Sequence, residues 1–209
     1  MDAIFQNNIA ELKAAGAILK DPVAIPNLKE LLAKRVTDPA VSDEALRIWL
    51  ARNPASPFKT REDIQKSPDI DKMFPPARSE LKRTHSDPDP AKYGGYLAAR
   101  HQLMVNLMKV MADGHLDAIV HKSVEHQPTL IKDGMNPPYI STKGVPMLNT
   151  FLVYVPAITV PSGFTMDNLP TGVTFLGKPY GDAMIIKLAY SYEQSTHHRK
   201  PPKTTPALR

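Results

Sequence analysis

Histidine and carboxylate side chains gather between residues 115 and 126, where they could hold a metal ion. His115 precedes a short apolar segment, and His121, Glu125 and His126 follow it. Zinc sites bring three or four such side chains to one point. This spacing puts no two of them firmly on one helix face, so an ordinary polar loop is the simpler interpretation. We expect neither a bound metal nor a cofactor.

A nucleophilic side chain would be a second route to catalysis. The 209 residues contain no cysteine, which excludes a thiolate nucleophile, a thiolate metal site and a disulfide framework. No serine lies in a G-x-S-x-G elbow. The ten glycines include one adjacent pair, Gly94 and Gly95, in the opening of a predicted helix. Ser-His-Asp catalysis by these residues alone is therefore not expected.

The C-terminal part predicts a strand-turn-strand-helix unit. Strands are expected over 157–160 and 171–176, separated by a Pro-Ser-Gly turn, and Asp182 is expected to cap the last helix. The apolar faces of these elements pick Val160, Val173 and Ile185 as core residues.

Upstream, the pattern predicts mostly helices. Residues 3–15 form one, followed by a short strand in AILKDPV, and Asp89 and Pro90 open the longest helix, which ends at Gly114. Thr60 is expected to cap another short helix. The segment 75–90 is polar and bounded by prolines, which is typical of a surface excursion within one domain, 1–209.

A buried strand is predicted at 116–120, and the loop after it is the better candidate site. Loops at strand ends form pockets in many α/β sheets, so His121, Ser123, Glu125 and His126 could line one. An ordinary surface loop explains the same residues equally well.

Composition limits the possible partners. Apolar residues make up 42% and charged residues 22%, a globular balance, and the N-terminus lacks the basic start of a signal peptide. Residues 144–166 carry no charge, but three prolines would interrupt the hydrogen bonds of a lipid-exposed helix. We therefore expect a soluble, cytoplasmic protein without a membrane partner.

The net charge is +5, yet the basic cluster near residues 197–203 lacks interleaved aromatic residues, so no nucleic-acid partner is expected.

The order of PAITVPSGF, LPTGVTFLGKP and LAYSYEQSTHHRKPP resembles the C-terminal end of amidase-signature hydrolases. The order helix, Gly, LDAIV is similar to the same family. The resemblance implies an α/β fold, a mixed sheet layered with helices. It also implies that the chain begins in the middle of that fold.

The resemblance implies hydrolysis of carboxamide C–N bonds through a serine acyl-enzyme. The family uses a Lys and two Ser, and both Ser lie in a Gly/Ser-rich signature that has no counterpart here, so no catalytic residue is carried over. The loop at His121, Ser123, Glu125 and His126 matches one that borders the acyl pocket, although HKSVEHQPT departs from the family's small-residue and proline pattern.

Two more residues enter through the resemblance. Asn149 and Thr150 match positions near the substrate channel, although Asn149 could equally cap the following segment. The chain alone is expected to be inactive, supplying scaffold and part of the substrate pocket for a small-molecule amide when it is complemented. Its expected partner is a signature-bearing N-terminal half or a second copy. The alternative is a truncated, non-catalytic structural or interaction protein.

Overall fold

A computed structural model describes residues 1–35, 39–73, 75–82, 89–137 and 155–202. The strands are β1 (Ile119–Lys122), β2 (Ala157–Phe164) and β3 (Pro170–Leu176). A short 3-10 helix spans Ile70–Lys72. The α-helices are α1 (Asp2–Ala14), α2 (Leu28–Ala33), α3 (Pro39–Arg52), α4 (Arg61–Gln65), α5 (Pro75–Lys82), α6 (Pro90–Asp113), α7 (Ile131–Met135) and α8 (Asp182–Thr196).

The described residues divide into two compact units. The first holds residues 1–33, 100–127 and 155–202, and the second holds the described residues within 34–99 and 128–141. Each is described by itself below. A single domain over 1–209 remains a prediction.

The first unit is built on a three-stranded sheet in the order β1-β3-β2. Both pairings are antiparallel, with Lys122 and Val160 each in register with Val173. The ladder of β2 is irregular between Pro161 and Gly163, and Gly163 has a φ of 132°, which favours glycine. Helices layered on this sheet confirm the α/β fold class.

One face of the sheet carries the core of the first unit. Alternate residues of β2 and β3 point to this face, where α1 and α8 cover them. The predicted core residues are confirmed, since Val160, Val173 and Ile185 are all buried. The core cluster consists of Leu12, Val160, Val173, Phe175, Ala189 and Tyr192.

Local capping signals were predicted correctly in two places. The hydroxyl of Thr60 accepts a hydrogen bond from the backbone N–H of Asp63, and the Asp63 carboxylate accepts from that of Thr60, which forms a capping box at α4. The Asp89 carboxylate accepts from the backbone N–H of Lys92 at 3.0 Å, at the start of α6. Both carboxylates satisfy backbone donors that the helix itself leaves free.

Several local predictions were wrong. Residues 161–163 lie within β2 rather than in a turn, and β1 spans Ile119–Lys122 rather than 116–120. The segment AILKDPV, residues 17–23, forms no strand, because Leu19 packs against the core without joining a ladder and Pro22 lacks a backbone donor. Asp182 is the first residue of α8 rather than its cap, and Gly181 takes the cap position without a side-chain hydrogen bond. The Asp182 carboxylate still lies in the first turn, where a negative charge suits the helix dipole.

No helix within the described ranges has both the length and the apolar character that crossing a bilayer requires.

Candidate functional site

The candidate site begins on the sheet face opposite the core. His121 on β1 is in register with Thr174 on β3, which is in register with Thr159 on β2. Since successive side chains of a strand alternate between faces, these three project away from the face that carries Val173 and Phe175. Three polar residues therefore cross the sheet side by side.

A row of three hydroxyls lies on this face. The Thr174 hydroxyl is 2.7 Å from Oγ of Ser123 and 2.8 Å from Oγ1 of Thr159. Thr174 is buried, whereas Thr159 is exposed. Each hydroxyl has one proton, and the two contacts use two of them. One proton of the row, on Ser123, Thr159 or Thr174, is left over for a group outside it.

Gly172 makes this row possible. A Cβ at this position would lie 2.7 Å from Cγ2 of Thr159 and 2.8 Å from Oγ of Ser123. The two side chains close over the bare glycine, and the Gly172 carbonyl accepts from the backbone N–H of Ser123 at 3.0 Å. Glycine is thus required here by close approach rather than by backbone conformation.

His121 offers an unused acceptor. Its Nδ1 lies 2.7 Å from the carbonyl oxygen of Lys122, so Nδ1 must donate. In the neutral ring Nε2 is then an acceptor, and it is buried with no hydrogen-bond partner among the described residues. A buried acceptor without a donor is costly, which makes it a point that a ligand or a partner group would satisfy.

The rest of the predicted loop lies at the surface. Glu125 and His126 are exposed, near an ion pair in which Nζ of Lys122 lies 2.8 Å from Oδ1 of Asp2. The hydrogen bond to Asp2 raises the pKa of Lys122, with a smaller contribution from the Glu125 charge. The same hydrogen bond lowers the pKa of Asp2, and His126 adds weakly to it.

The structure thus brings together some of the predicted site residues. His121 and Ser123 share the polar face, while Glu125 and His126 do not join the hydroxyl row. Asn149 and Thr150 lie outside the described residues. Within the described ranges no three histidine, cysteine or carboxylate side chains cluster as metal ligands would.

Sequence reasoning missed Thr159, Gly172 and Thr174 as site residues. The available signal was a threonine on each of two predicted strands, both on the side away from the apolar residues. Their meeting with Ser123 depends on the register of three strands, and Ser123 and Thr174 are 51 positions apart. No local pattern encodes that register.

The second unit contains a separate cleft of about 520 Å³ next to α3 and α4. Asp43 and Arg61 form an ion pair in its wall, and both side chains are largely buried. The ammonium of Lys59 donates to the carbonyl oxygens of Pro54 and Ser56. Because these charges serve the protein's own contacts, the cleft is a weaker candidate than the sheet face.

Known proteins match parts of this chain. No family model matches it. A 52-residue segment is 52% identical to a glutamyl-tRNA(Gln) amidotransferase subunit of Thermodesulfovibrio yellowstonii, and covers 24% of this chain and 11% of that protein. The chain therefore matches only a small part of the length of this curated relative.

Solved structures match nearly all of it. The fold superposes on an amidase family protein from Bacillus anthracis with a TM-score of 0.69 at 20% identity, covering 96% of this chain and 36% of the other. A bacterial aryl acylamidase of the amidase signature family gives 0.62 at 16% identity, covering 93% and 40%. The chain accordingly spans well under half of either enzyme.

The solved structures establish the fold of this chain. The helices layered on the three-stranded sheet form the α/β architecture found in part of these amidases. Together with the named relatives, these likenesses support the amidase-signature family for part of the chain.

Proposed function

We propose that this chain is the C-terminal part of an amidohydrolase that cleaves carboxamide C–N bonds through a serine acyl-enzyme. The observation that carries the proposal is the segment 52% identical to a subunit of an amidotransferase. The likeness to solved amidases supports the fold in which that segment lies. This chain supplies scaffold and one wall of the substrate pocket.

The polar face of the sheet is the proposed pocket wall. One hydroxyl of the Ser123–Thr174–Thr159 row has a proton that the row does not use, and His121 has an unused acceptor at Nε2. A carboxamide has both an acceptor oxygen and donor N–H groups, so it can meet both requirements. The loop residues Glu125 and His126, and with them Asn149 and Thr150, are proposed to border the same pocket.

The chain alone is proposed to be inactive. Acyl transfer in this family uses a lysine, two serines and backbone N–H groups of a Gly/Ser-rich segment. The 209 residues contain no such segment, and Ser123, the serine of the polar face, is bonded to Thr174 rather than to a base. Turnover therefore requires a partner that brings the signature.

The proposal is tested by measuring ammonia release from propionamide and benzamide, with the chain alone and after co-expression with a signature-bearing partner. That partner would be sought in the coding sequence adjoining this one. We expect release at the buffer rate alone and clear release in the complex. Release by the chain alone that disappears in Ser123→Ala would overturn the proposed inactivity. Stable complexes without any release would favour the non-catalytic alternative.

A further inference from the structure

The carboxylate of Glu11 on α1 is a hub for side-chain donors. Its Oε1 accepts from Nδ2 of Asn7 at 2.8 Å and lies 2.9 Å from Nε2 of His198. Its Oε2 accepts from the phenol of Tyr192 at 2.7 Å and from Nδ2 of Asn8 at 3.3 Å. Since a carboxylate offers about four acceptor positions, these donors fill it.

The donors come from separate parts of the first unit. Tyr192 lies on α8, and His198 lies in the segment that follows it. Asn8 belongs to α1 and also donates to the carbonyl oxygen of Ser162 on β2 at 2.7 Å, in a buried position. One carboxylate therefore joins α1 to α8 and to the chain beyond α8, and a neighbouring amide joins α1 to β2.

The segment after α8 is turned back towards this hub. His197 adopts left-handed backbone angles, with φ 51° and ψ 37°, and its N–H donates to the carbonyl of Glu193 at 2.9 Å. This turn places the His198 ring 6.3 Å from the Tyr192 ring, centroid to centroid. Two residues on, the ammonium of Lys200 lies 5.0 Å from the centroid of the Phe164 ring on β2.

We propose that Glu11 and His198 form a pH-dependent clasp that fastens the segment 197–202 to α1. The pair is partly buried, with exposed side-chain fractions of 22% for Glu11 and 23% for His198. Because Glu11 accepts, Nε2 of His198 carries the proton of the hydrogen bond. A second proton, on Nδ1, makes the imidazole a cation and adds charge attraction to that bond.

The charges around the clasp favour this behaviour. From α1 the ring meets the Glu11 carboxylate, and from α8 it meets the neutral phenol of Tyr192, whose pKa is raised by burial and by Glu11. From β2 the segment meets the uncharged Phe164 ring. The cations of the segment itself are Arg199 and Lys200, and Lys200 is engaged over Phe164. Among these groups, the Glu11 carboxylate is thus the anion that pairs with a protonated His198.

The clasp closes most tightly where both partners are charged. Histidine side chains change charge between about pH 5 and 8, while carboxylates lose their charge only in stronger acid. The segment 197–202 is therefore held best in mildly acidic solution and more loosely above neutrality. In strong acid the Glu11 carboxylate is protonated instead, and the clasp loses its charge attraction for that reason.

The test is hydrogen–deuterium exchange of the peptide spanning 194–200. Its exchange rate is measured between pH 5.5 and 8.5 and corrected for the intrinsic exchange rate at each pH. In the parent we expect exchange about fivefold faster at the alkaline end, the factor that a partly exposed ion pair supports. His198→Gln should remove that dependence. His197→Gln is the matched control, since the exposed neighbouring imidazole contacts no carboxylate in the described residues, and it should keep the dependence.

Glu11→Gln gives an independent result, because it keeps the shape of the side chain while removing the charge. It should give the fast rate at every pH. Equal pH profiles for the His198→Gln and His197→Gln proteins would overturn the clasp. So would a parent whose peptide exchanges at the unprotected rate throughout, or at one protected rate across the range. None of these outcomes depends on amidase activity.

Discussion

The phenol oxygen of Tyr192 lies 2.7 Å from Oε2 of Glu11, although the two residues are 181 positions apart. Burial alone would raise the pKa of Glu11, but hydrogen bonds from His198, Tyr192 and Asn8 outweigh it and lower the pKa below its ordinary value. The folded chain therefore binds a proton at Glu11 more weakly than the unfolded chain does. This carboxylate thus ties α1 to α8, and folding favours its ionised form.

This carboxylate should affect acid stability. Because its pKa is lowered on folding, its contribution is complete above the ordinary glutamate value and is lost as the pH falls through the folded value. Glu11→Gln should cost about 1–3 kcal/mol of unfolding free energy near neutrality and flatten the loss below pH 4.5. Urea unfolding between pH 3 and 7 measures both effects.

Glu44→Gln is the control for that experiment. The Glu44 carboxylate also has a lowered pKa, through its hydrogen bond with Arg47, but it is fully exposed. We expect its unfolding curve to follow the parent at each pH. If the Glu11 variant did the same, the hub would contribute nothing to stability.

The hydroxyl row predicts a strict requirement at Gly172. In Gly172→Ala the new methyl group would collide with Thr159 and Ser123, which should cost about 1–3 kcal/mol of unfolding free energy. Gly94→Ala is the matched control, because a Cβ there meets nothing within 4 Å and alanine favours a helix, by up to about 1 kcal/mol. Thermal melts compare the two. Equal destabilisation by both changes would contradict the described packing.

The two adjacent isoleucines of α8 test the core assignment. Ile185 is 3% exposed and Ile186 is 56% exposed. Truncating the buried side chain leaves a cavity, so Ile185→Ala should lower the unfolding free energy by about 2–4 kcal/mol. Ile186→Ala should stay within about 0.5 kcal/mol of the parent. If the unfolding curves of the two variants overlaid, α8 would face the sheet differently.

Apolar periodicity was enough to predict this core but not the polar site. Val160, Val173 and Ile185 were found because each lies on the apolar side of a short element, where spacing alone decides the face. Thr174 was not found, because its partners Ser123 and Thr159 reach it only through strand register. The same limit applies to Glu11 and His198, which no local pattern connects.

Two local predictions were wrong because the same residues suit more than one structure. AILKDPV has the apolar start of a strand. However, its proline has no backbone N–H to donate to a neighbouring strand, and Leu19 packs against the core instead. Asp182 suits both a cap and a first-turn position, and Gly181 before it takes the cap. Such choices are decided by tertiary packing rather than by propensity.

Self-association of the isolated chain is a further prediction. Exposed apolar side chains include Ile18, Met166 and Ile186, and apolar surface left exposed promotes association. Sedimentation velocity should show a mass that rises with concentration, accompanied by binding of a hydrophobic dye. A monomer at every concentration, with a sharp melt and no dye binding, would mean that the chain has closed its own core.

The most direct test of the central claim is ammonia release by the chain before and after mixing with its signature-bearing partner. A family member that supplies scaffold and a pocket wall should show only the buffer rate alone. It should gain turnover of a simple carboxamide in the complex, and lose that turnover when the partner's nucleophilic serine is replaced by alanine. Turnover by the isolated chain, or a stable complex that never releases ammonia, would contradict the account.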